Sequence, residues 1–261
     1  MRPFTRSMSG LPAWLSFDAN AGLLSGTPPA AGTFTVTMDA ANGIGSDSKT
    51  LTITIAAPES PPPADIAGVI AQGASFWPLQ VARELDDAIL HLRINELGIA
   101  MLVFKSHGEA ANVLACDALL EADKDHWLVN EIRHYWKRVL KRIDVTSRTL
   151  VTLVEPGSCF VGTLAELVFA ADRSYMLIGS RQGDNRPPPQ LTLSAMNFGA
   201  YPMSHGLTRL ECRFQADAAD LDRARAKLGE ALDAETAEEL GLVTFALDDI
   251  EPSQLGLLCP I

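Results

Sequence analysis

Residues 149–178, TLVTLVEPGSCFVGTLAELVFAADRSYMLI, constrain the fold most. Thr149 to Val154 is a short run of β-branched and aliphatic residues, which predicts a buried strand. Glu155-Pro156-Gly157-Ser158 breaks it, and Gly162 precedes a stretch with Leu164, Leu167, Val168 and Ala171 on one helical face. Residues 173–178 then predict a second strand. A strand, a helix and a strand in about thirty residues have one common solution, a right-handed crossover between parallel strands.

The flanks extend the pattern. Leu85, Ala88, Ile89 and Leu92 set a helix over 82–92, with acidic residues near its start. Residues 95–98 break it, and Ile99 to Phe104 is an unbroken apolar run that predicts a strand. Residues 105–109 read as a loop, 112–120 as a helix, and 126–143 as a longer helix. Its apolar stripe is Leu128, Ile132, Tyr135, Trp136, Val139, Leu140 and Ile143. Lys137, Arg138, Lys141 and Arg142 lie off that stripe; they are a solvated face or a contact for an anionic ligand. Further on, 191–193 is strand-like, 197–202 is a turn, and His205 to Leu210 opens a helix. Asp233 suits an N-cap, Gly241 a C-cap, and 242–245 a last strand. This is an α/β module with a mainly parallel sheet.

The first 57 residues have another character, rich in Gly, Thr, Ser, Ala and Pro. Residues 33–38 and 49–55 alternate in polarity, with Leu51, Ile53 and Ile55 on one side and threonines on the other. Asn42-Gly43 between them suggests an antiparallel hairpin. The wording LPAWLSFDANAGLLSGTPPAAGTFTVTMDAANGIGSDSKTLTITI resembles the immunoglobulin-like repeats of bacterial surface proteins. Such repeats are sandwiches of about seven strands, so the resemblance implies a truncated copy with a structural role, in which Trp14 and Phe17 are core residues. A proline-rich segment, APESPPPAD, reads as an extended spacer. The expected organisation is 1–57 as an immunoglobulin-like β fragment, 58–75 as linker and 76–261 as the α/β module.

Composition excludes some roles. The 261 residues carry a formal charge of −11, which opposes general binding to nucleic acid or an anionic membrane. No apolar run reaches membrane-spanning length. The N-terminal stretch lacks a signal-peptide apolar core, and the four cysteines are widely spaced without CxxC or a zinc grouping. A cytoplasmic protein with reduced thiols is expected, with no metal. His107, His126, His134 and His205 form no ligand-spaced set, and neither a G-x-G-x-x-G nor a P-loop is present.

The α/β module resembles the crotonase superfamily, on the strand–turn–helix of 151–172 and the closing helix–Gly–strand of 233–245. ARELDDAILHLRINE, LKRIDVTSRTLVTLVEPGSCFVGTLAELVFAADRSYML and LTLSAMNFGAYPMSHGLTRL are similar, more narrowly, to benzoyl-CoA-dihydrodiol lyases. The resemblance implies a crotonase-like (ClpP/crotonase) core of repeated ββα units and a coenzyme A thioester as substrate, without a cofactor. It also implies ring cleavage in aerobic benzoate degradation, carried by an enzyme with two crotonase-like halves. This chain matches the second half, so the N-terminal half, with the expected glutamate pair, is a missing partner. A face left bare by that half would favour self-association. A non-catalytic scaffolding or acyl-CoA-binding module is the alternative, and a surface adhesion module through the repeat is a third.

Crotonase chemistry implies two backbone N–H groups on a thioester oxygen and carboxylates that move protons. The resemblance assigns one N–H to Gly162 or Thr163, and the other to a loop around Leu114-Ala115-Cys116-Asp117. Glu166, six residues before Asp172, aligns with an acid–base glutamate. The second carboxylate is expected near Ala195, where none stands. Thr163 stands where glycine is common. Glu166 otherwise reads as a first-turn residue favoured by the helix dipole, bonded to Ser158 or Arg148. Cys116 and Cys159 read as packed thiols.

Overall fold

The computed structural model describes residues 5–9, 15–18, 23–26, 37–41, 49–180 and 183–248. Four short strands come first: β1 (Thr5–Ser9), β2 (Leu15–Asp18), β3 (Leu23–Gly26) and β4 (Thr37–Ala41). β1 pairs antiparallel with β4 and β2 with β3. The expected turn at Asn42-Gly43, Trp14 and the side chain of Phe17 lie outside the described residues.

β5 (Lys49–Ala56) forms where the alternation predicts a strand, but its partner differs from the expected one. It lies parallel to β6 (Ile99–His107), from Lys49 opposite Ile99 to Ala56 opposite His107. Thr37 and Met38, in the run expected to form the hairpin, pair with β1 instead. Period-2 alternation fixes which face of a strand is buried and leaves its neighbour open.

The rest of the chain follows as α1 (Ile66–Gln72), α2 (Trp77–Asn95), β6, α3 (Ala110–Ala122), α4 (Trp127–Asp144), β7 (Thr149–Val154), α5 (Glu166–Ala170) and β8 (Arg173–Leu177). Then come β9 (Leu191–Thr192), α6 (Arg209–Arg213), α7 (Ala218–Ala226), β10 (Ala231–Leu232), α8 (Ala234–Glu239) and β11 (Phe245–Leu247). The main sheet has the order β11-β8-β7-β6-β5, and every pairing in it is parallel. The fold class is therefore α/β with a parallel sheet, as expected. β9 and β10 form a separate antiparallel pair.

At β6 and β7 both faces of the sheet are buried, which is why these strands read as nearly continuous apolar runs, while the edge strand β5 alternates. Leu102, Phe104, Leu150 and Val154 join the helix-covered core with Leu85, Ile89, Ile132, Trp136 and Leu140. Met101, Val103, Val151, Leu153, Tyr175 and Leu177 form a second cluster. α2 and α4 are locked together by Trp136 Nε1 donating to Pro78 O at 2.8 Å and by the Arg142–Asp86 ion pair. That pair gives Arg142 a partner within the fold.

Several boundaries move for local reasons. α2 starts five residues before the expected residue 82, with Pro78 in its first turn, so its acids sit beyond the N-terminal end of the dipole. Residues 66–72, in the stretch expected as linker, form α1, whose N-cap Asp65 accepts from Gly68 N at 2.9 Å. β6 runs on through Lys105 to His107, which shortens the expected loop. The segment from His205 is a turn, and α6 begins only after the N-cap Thr208. The last strand begins at Phe245, where 242–245 was expected. Asp233 does cap α8, accepting from Thr236 N at 2.8 Å, and Gly241 follows it with φ +71°. No helix among the described residues is long and apolar enough to cross a membrane.

Candidate functional site

The site lies past the carboxyl end of β7, where the chain turns into a 3₁₀ segment, Gly162–Ala165, and then α5. Gly162 takes φ +50°, in the left-handed region that glycine enters freely. It is also pressed against α3: a Cβ at this position would lie 1.9 Å from Asp117 Oδ2. No side chain fits there, so glycine is required twice over, by conformation and by space.

The group pressing on Gly162 is a buried carboxylate. Asp117 Oδ2 accepts from Thr163 N at 2.8 Å and from Ser194 Oγ at 2.8 Å. Its Oδ1 meets Thr163 Oγ1 at 2.6 Å, and that hydroxyl lies 3.2 Å from Tyr201 Oη. Asp117 thus sits at the start of the 3₁₀ segment, where backbone N–H groups lack intrahelical partners. Burial pushes its carboxyl up to about 6, against the lowering pull of Thr163, Ser194 and the Arg133 charge.

Glu166 is equally enclosed, at 2 % exposure. Oε1 accepts from Asn197 Nδ2 at 2.8 Å, and Oε2 from Arg209 Nη1 at 2.9 Å. Burial raises its pKa, and the Arg209 charge pulls the other way. Arg209 also grips Asp144, through Nε at 2.9 Å and Nη2 at 2.7 Å, and donates to Tyr201 O at 3.0 Å. The expected partners of Glu166, Ser158 and Arg148, lie elsewhere. Ser158 Oγ accepts from Glu155 N, and Arg148 Nη2 donates to Leu92 O and Glu96 O.

Gly162, Thr163 and Glu166 are brought together, in one turn and its continuation. Cys116 is not on a loop as expected: residues 114–117 lie inside α3, where backbone N–H groups are committed to carbonyls four residues back. Its thiol is 1 % exposed and pushed up to about 12, first by burial and then by Asp117. It is a packed thiol with no free N–H to offer. Cys159 is also buried, its thiol against His107 O at 3.3 Å, and Cys116, Cys159 and Cys212 are all free. Ala195 opens the 3₁₀ turn Ala195–Asn197, capped by Ser194.

Sequence reasoning missed Asp117, Ser194, Asn197, Tyr201 and Arg209 as members of the network. One signal was available: Asp117 falls on the buried side of a helix with Val113, Cys116 and Leu120, where an acid needs a partner. The arrangement holds three internal carboxylates, Asp117, Glu166 and Asp144, each met by donors within the fold. Beside it, a cleft of about 710 Å³ runs between β5, the segment 56–62 and α2, reaching Cys116. Among the described residues, the charged ones on its wall are Glu59 and Glu84, with no Lys or Arg.

Residues 2–56 match the model of the family described as "Putative Ig domain". The benzoyl-CoA-dihydrodiol lyase of Aromatoleum evansii is 46 % identical over 208 residues, which is 80 % of this chain and 37 % of that enzyme. Both resemblances read from the residues are met by these matches. The chain spans little more than a third of the length of that relative. Among solved structures, enoyl-CoA hydratases from Bacillus halodurans and Bacillus anthracis align with TM-scores of 0.46 and 0.45 at 16 % and 17 % identity. They cover 69 % and 65 % of this chain, and 67 % and 60 % of theirs.

Proposed function

We propose that this chain carries the C-terminal, non-catalytic half of a benzoyl-CoA-dihydrodiol lyase, and that ring cleavage requires the half it lacks. The 46 % identity to such an enzyme supports the family. The observation that carries the non-catalytic reading is the Asp117 carboxylate on Thr163 N and Oγ1. A thioester oxygen has no donor to meet where a buried carboxylate already accepts. Glu166 is held by Arg209 and Asn197, and Ala195 supplies no second carboxylate. The role of this half is then to bury a face of the catalytic half. Without that half, its bare face favours association with a second copy.

The test is turnover of the ring dihydrodiol of benzoyl-CoA. The chain alone is expected to give none, and adding the first half in trans is expected to restore ring cleavage. A well-folded pair that docks and stays inactive overturns the proposal, as does turnover by this chain alone.

The second reading is a retained acyl-CoA site in the 710 Å³ cleft, which reaches Cys116 beside the Asp117 network. The acidic wall of Glu59 and Glu84 opposes coenzyme A phosphates. Titration calorimetry with benzoyl-CoA separates the two. Binding that is lost in Gln80→Trp, an exposed residue of the cleft wall, supports a retained site, and no heat at millimolar ligand supports the scaffold.

A further inference from the structure

α6 carries two arginines four residues apart, which places them on one side of the helix. Arg209 is paired with Glu166 and Asp144, whereas no carboxylate among the described residues pairs with Arg213. Arg213 Nε donates to Gly241 O just past α8, and its Nη2 lies 3.3 Å from Thr244 Oγ1 and 3.5 Å from Ser174 Oγ. These partners are all neutral, and Nη1 has none among the described residues. Burial lowers the Arg213 pKa, with no carboxylate acting against it. The side chain lines a groove of about 490 Å³ between the end of α6, the start of α7 and the end of α8. We propose that this groove is a site for a small zwitterion, with the ligand's carboxylate on Arg213 and its ammonium on Glu239.

The charges around Arg213 choose the ligand class. Four acids line the groove, and three of them are engaged inside the fold. Asp217 caps α7, accepting from Ala219 N at 2.8 Å, Asp220 pairs with Arg223 at 2.6 Å, and Glu238 accepts from Ala246 N at 3.0 Å. Glu239 is exposed and has no partner among the described residues. The groove is left with one uncommitted cation and one uncommitted anion, in surroundings that carry an excess of acid. That excess repels inorganic phosphate and other multiply charged anions, and it tolerates a single carboxylate that brings its own cation. The guanidinium offers a planar fork that matches a carboxylate. Phe214 and Leu240 add apolar wall for the carbon chain of such a ligand.

The backbone beside the groove is a second, independent observation. Gln215 (φ +53°) and Ala216 (φ +63°) are consecutive, and they are the two non-glycine residues with positive φ among the described residues. Gln215 lines the groove. One left-handed residue is a common way to end a helix, and the second is not required for that. Left-handed non-glycine backbone costs energy, persists where its surroundings impose it, and clusters at ligand sites. Here the pair carries the chain from α6 to Asp217, the N-cap of α7, and shapes that side of the groove.

The experiment is titration calorimetry of the full chain with aminohexanoate, which has a carboxylate at one end and an ammonium at the other. Hexanoate and hexylamine, with one charged end each, are titrated beside it. Aminohexanoate is expected to saturate a single site, about tenfold more tightly than either single-ended probe. Glu239→Gln changes an exposed side chain with no fold contact to lose, and is expected to remove the advantage over hexanoate. Arg213→Lys keeps a cation beside Gly241 O, and is expected to weaken aminohexanoate and hexanoate by a similar factor. Three probes that bind alike, or no saturation by aminohexanoate at millimolar concentration, overturn the proposal. An advantage that survives Glu239→Gln also overturns it. None of these readouts involves catalysis or docking of a second half, so this inference and the proposed function fail separately.

Discussion

Asp117 decides what the site can do. Its folded-state carboxyl titrates near 6, above its ordinary 3.8, because burial outweighs three donors and the Arg133 charge. Between about pH 4 and pH 6 the folded chain holds a proton that the unfolded chain has released. Stability from this group is therefore present at low pH and falls as pH rises through that window, by about 1–3 kcal/mol. Asp117→Asn removes the titration, so the stability gap between native and variant is expected to narrow from pH 4 to pH 6 in urea melts. A gap that widens would mean the Thr163 and Ser194 donors outweigh burial. Arg209 is the second decisive residue, since its one positive charge is shared between Glu166 and Asp144. Arg209→Ala leaves two buried carboxylates without their cation and is expected to cost about 3–5 kcal/mol. Chemical denaturation checks it, and a loss below about 1 kcal/mol would show that water reaches the pair.

At the scale of elements, the site is assembled by short pieces whose ends are fixed locally. α6 has five residues, too few to be stable alone, and it opens on a reciprocal cap. Thr208 Oγ1 accepts from Glu211 N at 3.1 Å, and Glu211 Oε2 accepts from Thr208 N at 2.6 Å. Arg209 is the first residue after that cap, so the cap aims the guanidinium. Thr208→Ala is expected to cost about 1 kcal/mol and to raise amide exchange in α6 ahead of α4, read by hydrogen-exchange mass spectrometry. Uniform exchange across both helices would contradict this. Long periodic elements were legible in the sequence: β7 is found at the expected residues, and α4 within one residue of them. Short capped elements were less so. α1 was hidden behind prolines, and α7 (Ala218–Ala226) has one fully buried side chain, Ala224, and so little apolar periodicity to read.

For the whole molecule, the sheet order places β5 at one edge and β11 at the other, with β7 and its turn central. If β5 is part of that sheet's cooperative unit, the repeat cannot melt independently of it. With Trp14, Trp77 and Trp127 replaced by Phe so that the buried Trp136 alone reports, thermal unfolding is expected to give coincident transitions by far-ultraviolet circular dichroism and by fluorescence, and Ile53→Asp is expected to lower both together. A separate early transition that leaves Trp136 fluorescence unchanged would assign β5 to the repeat alone.

The amino-acid sequence by itself determined the parallel α/β class, the turn from Gly162 to Glu166 and the immunoglobulin-like character of the first residues. The first two rest on periodicity and on glycine placement, which are properties of neighbours along the chain, and the third on resemblance to known repeats. Tertiary structure alone decided that β5 pairs with β6, because alternation selects a face and not a partner. It alone decided that Asp117, 46 residues before Thr163, closes the helix start, and that Arg209, 43 residues after Glu166, holds its carboxylate. Those contacts join distant segments, and burial of the charges they pair exists only once the core around them has closed.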